Sequence, residues 1–311
     1  MHIGIHTAQI GPSAGPDAIR SVAVAAEEIG YSSIWVLDRL PAAIEPREGY
    51  GGMPGVPLPP EQRRAIDPFV VLAATAAAST RARIGTSVLV APWYPPVVLA
   101  RLLTSLDVIS AGRLTVGLGM GWSTDEFEAA GVSRRGLAAR LEEALDVLDA
   151  HWSPGPVAHE GQHLRIVASH NELRPVQQPR PPVLLAAYSP AGLDRVARRA
   201  DGWNPAGLPV DVLAPMWAQV RDQAASYGRD PDALQLVVRA NIHLSDRPID
   251  GERDAYAGSI DQVIDDVIAT RDAGADEVIL GLVGGYGLDE LLDGYARIAD
   301  GVGLDSVSRV A

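Results

Sequence analysis

The chain of 311 residues contains no cysteine and no lysine. Without cysteine there can be no disulfide, no thiolate nucleophile and no cysteine-ligated zinc or iron–sulfur centre. Without lysine there is no Schiff base to a carbonyl substrate or to pyridoxal phosphate, and no Walker-type phosphate lysine. Redox or covalent chemistry then has to come from a non-covalent cofactor, a metal, or serine and carboxylate groups. All 26 basic side chains are arginines, a bias that points to a G+C-rich genome. The net charge of −13, with no basic run, sets up a field that repels nucleic-acid backbones and anionic membranes, so neither is expected as a partner. No apolar stretch approaches the roughly twenty residues of a membrane span. The opening "MHIGIHTAQIGPSAG" has neither a basic n-region nor a long h-region, and the expected location is cytoplasmic.

What is present suits a sizeable core: 47% of residues are hydrophobic, and the 31 glycines and 24 prolines are spread along the chain. We expect one domain over residues 1–311. Short β-branched runs alternate with helical patterns. Strands are expected at 2–6, 32–37, 83–91, 113–119, 182–188, 202–206, 234–244 and 276–283, with helices between and after them, and a possible hairpin lies within 157–167. The strands are near-continuous apolar runs, as buried parallel strands should be. Eight such units close into a (β/α)₈ TIM barrel. A doubly wound sheet is the alternative, but "GIHTAQIGPSAG" lacks dinucleotide-fingerprint spacing.

In a barrel, chemistry sits where strands end at the C-terminal face. The strand ends give His6, Asp38 with Arg39, Ser87 to Trp93, Gly119 to Trp122, Tyr188 with Ser189, Trp203 with Asn204, and His243. Gly117, Gly119 and Gly121 alternate, so they either let a flat ring approach the backbone or serve tight packing. Residues 124–127 look like the capped start of a short helix. "AAYSPAGLDRVARRA" (186–200) offers a strand end, a Ser189 cap and Pro190 in the first turn, and hence either a phosphate site or an ordinary capped helix. Asp38 and Glu126 are a possible acid–base pair. His6, Asp38 and His243 form an alternative metal set for a barrel hydrolase, though no pair has metal-ligand spacing. His151, His159, His163 and His170 are expected in solvent. The segment 38–66 exceeds a simple connection and reads as a wall or lid over the substrate, or as a subunit contact.

Together "SSIWVLDRL", "DPFVVLAATAAASTRARIGTSVLVAPWYPPVVLARLLTSLDVISAGRLTVGLGMGWSTDEFEAAGV", "RPVQQPRPPVLLAAYSPAGLDRVARRADGW" and "AGADEVILGL" resemble the bacterial luciferase-like superfamily of flavin- and deazaflavin-dependent oxidoreductases. The resemblance implies a TIM barrel with an insertion before the fifth strand, a homodimer, a small-molecule substrate, and coenzyme F-420 or, alternatively, FMN at the mouth. It implies a cofactor site of Ser87 and Val88, joined by a non-proline cis peptide. Gly119, Met120, Gly121 and Trp122 would edge the ring, and Ala187, Tyr188, Ser189, Ala191 and Gly192 would bind the phosphate. Asp38 and Arg39 stand at the catalytic positions. The chain departs from F-420 dehydrogenases of the superfamily in having Arg39 for a histidine, Trp122 for an acid, and Pro95 for a histidine. F-420-dependent hydride transfer is the favoured expectation, FMN-dependent monooxygenation the alternative, and a non-catalytic cofactor-binding barrel a further one.

Overall fold

The computed structural model describes residues 1–304. Among them, eight parallel strands close into a barrel: β1 (His2–His6), β2 (Ser33–Val36), β3 (Arg83–Thr86), β4 (Leu114–Gly119), β5 (Val183–Leu185), β6 (Gly202–Trp203), β7 (Gln235–Leu244) and β8 (Glu277–Leu282). Each pairs with the next in chain order, and β8 returns to β1 with Ile5 opposite Leu280. This excludes the doubly wound alternative. The helices between them are α1 (Pro16–Ile29), α2 (Pro68–Ala78), α3 (Pro96–Ile109), α4 (Leu137–Trp152), α5 (Pro190–Arg199), α6 (Val210–Ser226), α7 (Ile260–Asp272) and α8 (Leu288–Gly301). Their starts follow local chemistry: Asp67 accepts from Val70 N, Ser189 from Gly192 N, and Ser259 with Gln262 makes a reciprocal capping box. Among the described residues no helix is long and apolar enough to cross a membrane.

Strand alternation sends one set of side chains outward under the helices and the other into the barrel. Inside, Trp35, Leu184, Val237 and Ile279 form a small apolar layer separate from the main core. Below it Glu277, 2% exposed, accepts from Trp35 Nε1 and Ser33 Oγ and pairs with Arg83. Gly85 is required here, since a Cβ on it would collide with the Trp35 ring. The layer therefore closes the barrel's lower end, below the C-terminal mouth.

Three sequence expectations change, and the hairpin expected before the fifth strand forms. The third strand does not run unbroken to 91: it stops at Thr86 and resumes only at Leu89–Val90. Trp203 is fully buried and stacks on Trp217 of α6, outside the barrel rather than at its mouth. His151 belongs to α4 and is buried, and His159 is half-buried against Glu143; of the four histidines expected in solvent, His163 and His170 are exposed. The hairpin before β5 forms from Val157–Glu160 and Arg165–Ser169 and is anchored by Glu143, which accepts from the backbone of His163 and Leu164.

Candidate active site at the barrel mouth

The break in β3 makes a bulge at the mouth. The Ser87–Val88 peptide is cis, and Val88 is half-buried while Ser87, Leu89 and Val90 are buried. Thr86 Oγ1 donates to Gly117 O and accepts from Gly117 N, each at 2.8 Å. A Cβ on Gly117 would strike the Thr86 carbonyl oxygen, and one on Gly119 would come within 2.8 Å of Val88 Cγ2. The strand's glycines thus seat the bulge, which fills the space beside them.

Two charged side chains brace the bulge from opposite ends. Asp38 Oδ2 accepts from Val90 N at 3.0 Å and from the Tyr94 hydroxyl at 2.8 Å. Arg239 Nη1 donates to Ser87 O at 2.8 Å, and its Nε donates to Asn241 Oδ1. Burial pushes the Asp38 carboxyl up to about 6, with the charges of Asp67 and Glu126 adding, against the two hydrogen bonds that favour the ionised form. A proton on Asp38 is therefore accessible near neutrality.

Next to Asp38 the mouth is locked. Arg39 Nη1 lies 3.2 Å from Glu126 Oε2, both side chains buried, and Arg39 stacks over Trp122 at 5.2 Å. Glu126 also accepts from Leu40 N at 2.8 Å. Asp38 and Glu126 feel each other's charge but have separate partners, so they do not form a shared acid–base dyad. The loop 38–66 is pinned here as well. Arg47 pairs with Asp125 and Glu128, Glu48 accepts from Thr124 N and pairs with Arg134, and Tyr50 meets Trp122 edge-on at 5.9 Å.

Across the mouth the same loop returns differently. The 3-10 turn Pro60–Arg63 buries Glu61 and Gln62, and together with His6 and Thr7 of the first strand end they line a cavity of ≈ 40 Å³ with Arg239 and Tyr286. Gln9 fastens the loop's two ends, donating to Leu37 O and Ile66 O and accepting from Leu37 N. Burial, then the Arg239 charge, lowers the His6 pKa well below the usual histidine value, so the ring is neutral.

The luciferase-like monooxygenase family model matches residues 2–275. The chain belongs to the luciferase-like family. It is 30% identical to an uncharacterized protein of Mycobacterium tuberculosis over 217 residues, 69% of this chain and 77% of that one. It is 29% identical to an F-420-dependent glucose-6-phosphate dehydrogenase of Nakamurella multipartita over 236 residues, 73% of this chain and 64% of that enzyme. It is 32% identical to the oxygenase component of a flavin-dependent trigonelline monooxygenase of Acinetobacter baylyi over 128 residues, 40% and 35% of the two chains. A solved monooxygenase, RslO1 of Streptomyces bottropensis, shares the fold at a TM-score of 0.79 and 22% identity, covering 97% of this chain and 98% of that one.

In this luciferase-like barrel the expected ring-edge residues lie on one arc of the mouth. Gly119 ends β4, Met120 is half-buried, Gly121 turns with φ 70°, and half-buried Trp122 precedes the short helix Thr124–Ala129 capped by Ser123. Farther round, Ala187 is buried, Tyr188 and Ala191 are exposed, and Ser189 Oγ already accepts from Gly192 N. With Pro190 lacking an N–H, Ala191 N is the free donor of that first turn. The alternative metal set does not assemble: His243 is exposed, Asp38 is taken by Val90 and Tyr94, and no three His, Cys, Asp or Glu side chains gather among the described residues. Sequence reasoning missed Arg239, Tyr94, Thr7, Glu61 and Gln62. Arg239 did carry a signal, as a lone charge inside the apolar run "LQLVVRANIHL"; Glu61 and Gln62, within a proline-rich loop, carried none.

Proposed function

We propose that this luciferase-like barrel is an oxidoreductase using coenzyme F-420 for hydride transfer with a small organic substrate held under the 38–66 loop. The braced bulge carries this reading: Val88 is presented at the mouth, with Asp38 holding Val90 N and Arg239 holding Ser87 O. The F-420-dependent relative is 29% identical over 73% of this chain and a monooxygenase of Streptomyces nodosus is 25% identical over 71%, so the preference for F-420 rests on the sequence blocks, which look closer to the deazaflavin relatives.

The residues present suit a tricyclic ring with polar edges. A flat face needs an apolar backing, which Val88 supplies, and polar edges need unpaired groups. Asn204 Oδ1 is buried without a partner. Ser87, Val88 and Gly119 to Trp122 would hold the ring, and Ala187 to Gly192 the phosphate. When bound, the cofactor supplies two-electron hydride chemistry. This chain's contribution is orientation, exclusion of water by the pinned loop, and a proton at Asp38, the mouth carboxyl whose pKa lies near neutrality. Arg39, clamped by Glu126, positions Trp122 rather than meeting substrate. We read the chain as one domain acting as a cytoplasmic homodimer.

Titration of the apoprotein with F-420 and, separately, with FMN tests this through quenching of Trp122 fluorescence, with Trp122→Phe as the control for signal origin. Micromolar F-420 binding with negligible FMN binding is expected. The reverse result would make the chain a flavin monooxygenase, and binding of neither would end the redox reading.

A further inference from the structure

The cavity beneath the Pro60–Arg63 turn is polar in a particular sense. Glu61 Oε1, Gln62 Oε1, His6 Nε2 and Thr7 Oγ1 are all buried with no hydrogen-bond partner, and their residues are 7%, 3%, 8% and 5% exposed. Buried polar groups are satisfied in the great majority of cases, so four orphans around one cavity point to something that fills it. Two of the four, the carboxylate and amide oxygens, can only accept. The neutral His6 ring and the Thr7 hydroxyl can donate or accept. Arg239 also lines the cavity and adds positive charge, but its Nε and Nη1 are committed to Asn241 and Ser87.

We propose that this cavity binds the hydroxylated head of the substrate, a vicinal diol or similar pair of neutral hydroxyls, with Glu61 and Gln62 as the selecting acceptors. The identification of the occupant as substrate rests on the oxidoreductase reading; the ligand chemistry does not. An anionic head would set its oxygens against the Glu61 and Gln62 oxygens, and an apolar or ether head would leave both acceptors unpaired, the situation that gives hydrogen-bonding sites their large discrimination. Size agrees. At about 10–15 Å³ per water, the ≈ 40 Å³ present takes a head of a few heavy atoms, with the remainder of the molecule extending into the mouth.

The test is saturation-transfer NMR on the full chain without cofactor, using 1,2-butanediol, 1,2-dimethoxybutane and butyrate. The diol is expected to bind, with the diether and the carboxylate roughly tenfold weaker or worse, because each leaves buried acceptors unpaired. Glu61→Met, similar in length but without acceptors, should abolish most of that preference, and a thermal melt reports whether it folds. Thr7→Val provides a near-isosteric second variant that should weaken the diol alone. Equal binding of diol and diether, no diol binding, or a preference unchanged in both variants would overturn the proposal. Diol selection without F-420 or FMN binding would keep this site and remove the redox reading, whereas cofactor binding without diol selection would do the opposite.

Discussion

The two sides of the barrel mouth are built from the same long loop and have opposite hydrogen-bond economies. On the Asp38 side the carboxylates are matched, Asp38 with Val90 and Tyr94, Glu126 with Arg39 and Leu40 N, Glu48 with Thr124 and Arg134, and of these groups Arg39 Nε is buried without a partner. On the His6 side, Glu61, Gln62, His6 and Thr7 are equally buried yet have unmatched atoms. Sites built for ligands carry polar groups whose partners arrive with the ligand, whereas scaffolding satisfies its own. The first side therefore holds the bulge and loop in place, and the second is where we propose that the ligand is selected.

The sharpest way to break this comparison is to remove one carboxylate from each side. Glu126→Ala leaves the buried Arg39 cation without its partner, and loss of one member of a buried pair costs about 3–5 kcal/mol. Glu61→Gln removes a carboxylate that has no hydrogen bond at Oε1 and should shift stability by less than about 1 kcal/mol, or raise it. Urea midpoints for the two variants measure both. Comparable losses would mean that Glu61 is as structural as Glu126.

The next effect appears along the pH axis, and the two sides carry opposite signs. Asp38 has a folded pKa of about 6 against 3.8 for an ordinary aspartate, so the folded state binds the extra proton between those values. Stability attributable to Asp38 therefore falls as pH rises from 3.8 to about 6, by about 3 kcal/mol at about 1.4 kcal/mol per unit. Asp38→Asn should lose this slope while still accepting from Val90 N. His6 is held below its unfolded value of 6.5, so the unfolded chain takes up the proton first and stability is lost as pH falls below 6.5. His6→Gln should flatten that acid limb. Denaturant midpoints at half-unit pH intervals separate the two, and slopes of the same sign would contradict the assignment.

Much of the barrel was legible because its determinants are local. Apolar runs such as "PVLLAAY" and "DEVILGL" mark buried parallel strands, and Ser189–Pro190 and Ser259 mark helix starts. Trp203 was misplaced because it sits at a strand end, where one residue of alternation decides between the mouth and the outer helix layer. The unmatched side of the site was not legible at all. Glu61 reaches His6 only after a loop of more than twenty residues folds back, and no local pattern reports where such a loop returns. Arg239 had the one usable signal, a charge in a buried strand, which needs a reason to be there.

The smallest expected effect bears on how the loop is held. Arg47 is largely exposed, and its pairs with Asp125 and Glu128 lie at the surface, where solvent screening leaves ion pairs contributing little to stability. Arg47→Ala should therefore leave the urea midpoint almost unchanged. Locally the consequence differs, because Arg47 with Glu48 and Tyr50 fastens the outer half of a loop whose residues 51–57 are exposed. Opening that half breaks only a few surface pairs, so its free energy lies far below that of global unfolding. Limited proteolysis at native pH should cut the variant faster within 51–57, and raising the salt should bring the wild type toward the same rate by screening the same pairs. Equal cleavage of both proteins at low salt would show that Tyr50 against Trp122 and the Gln9 clamp hold the loop without the ion pairs.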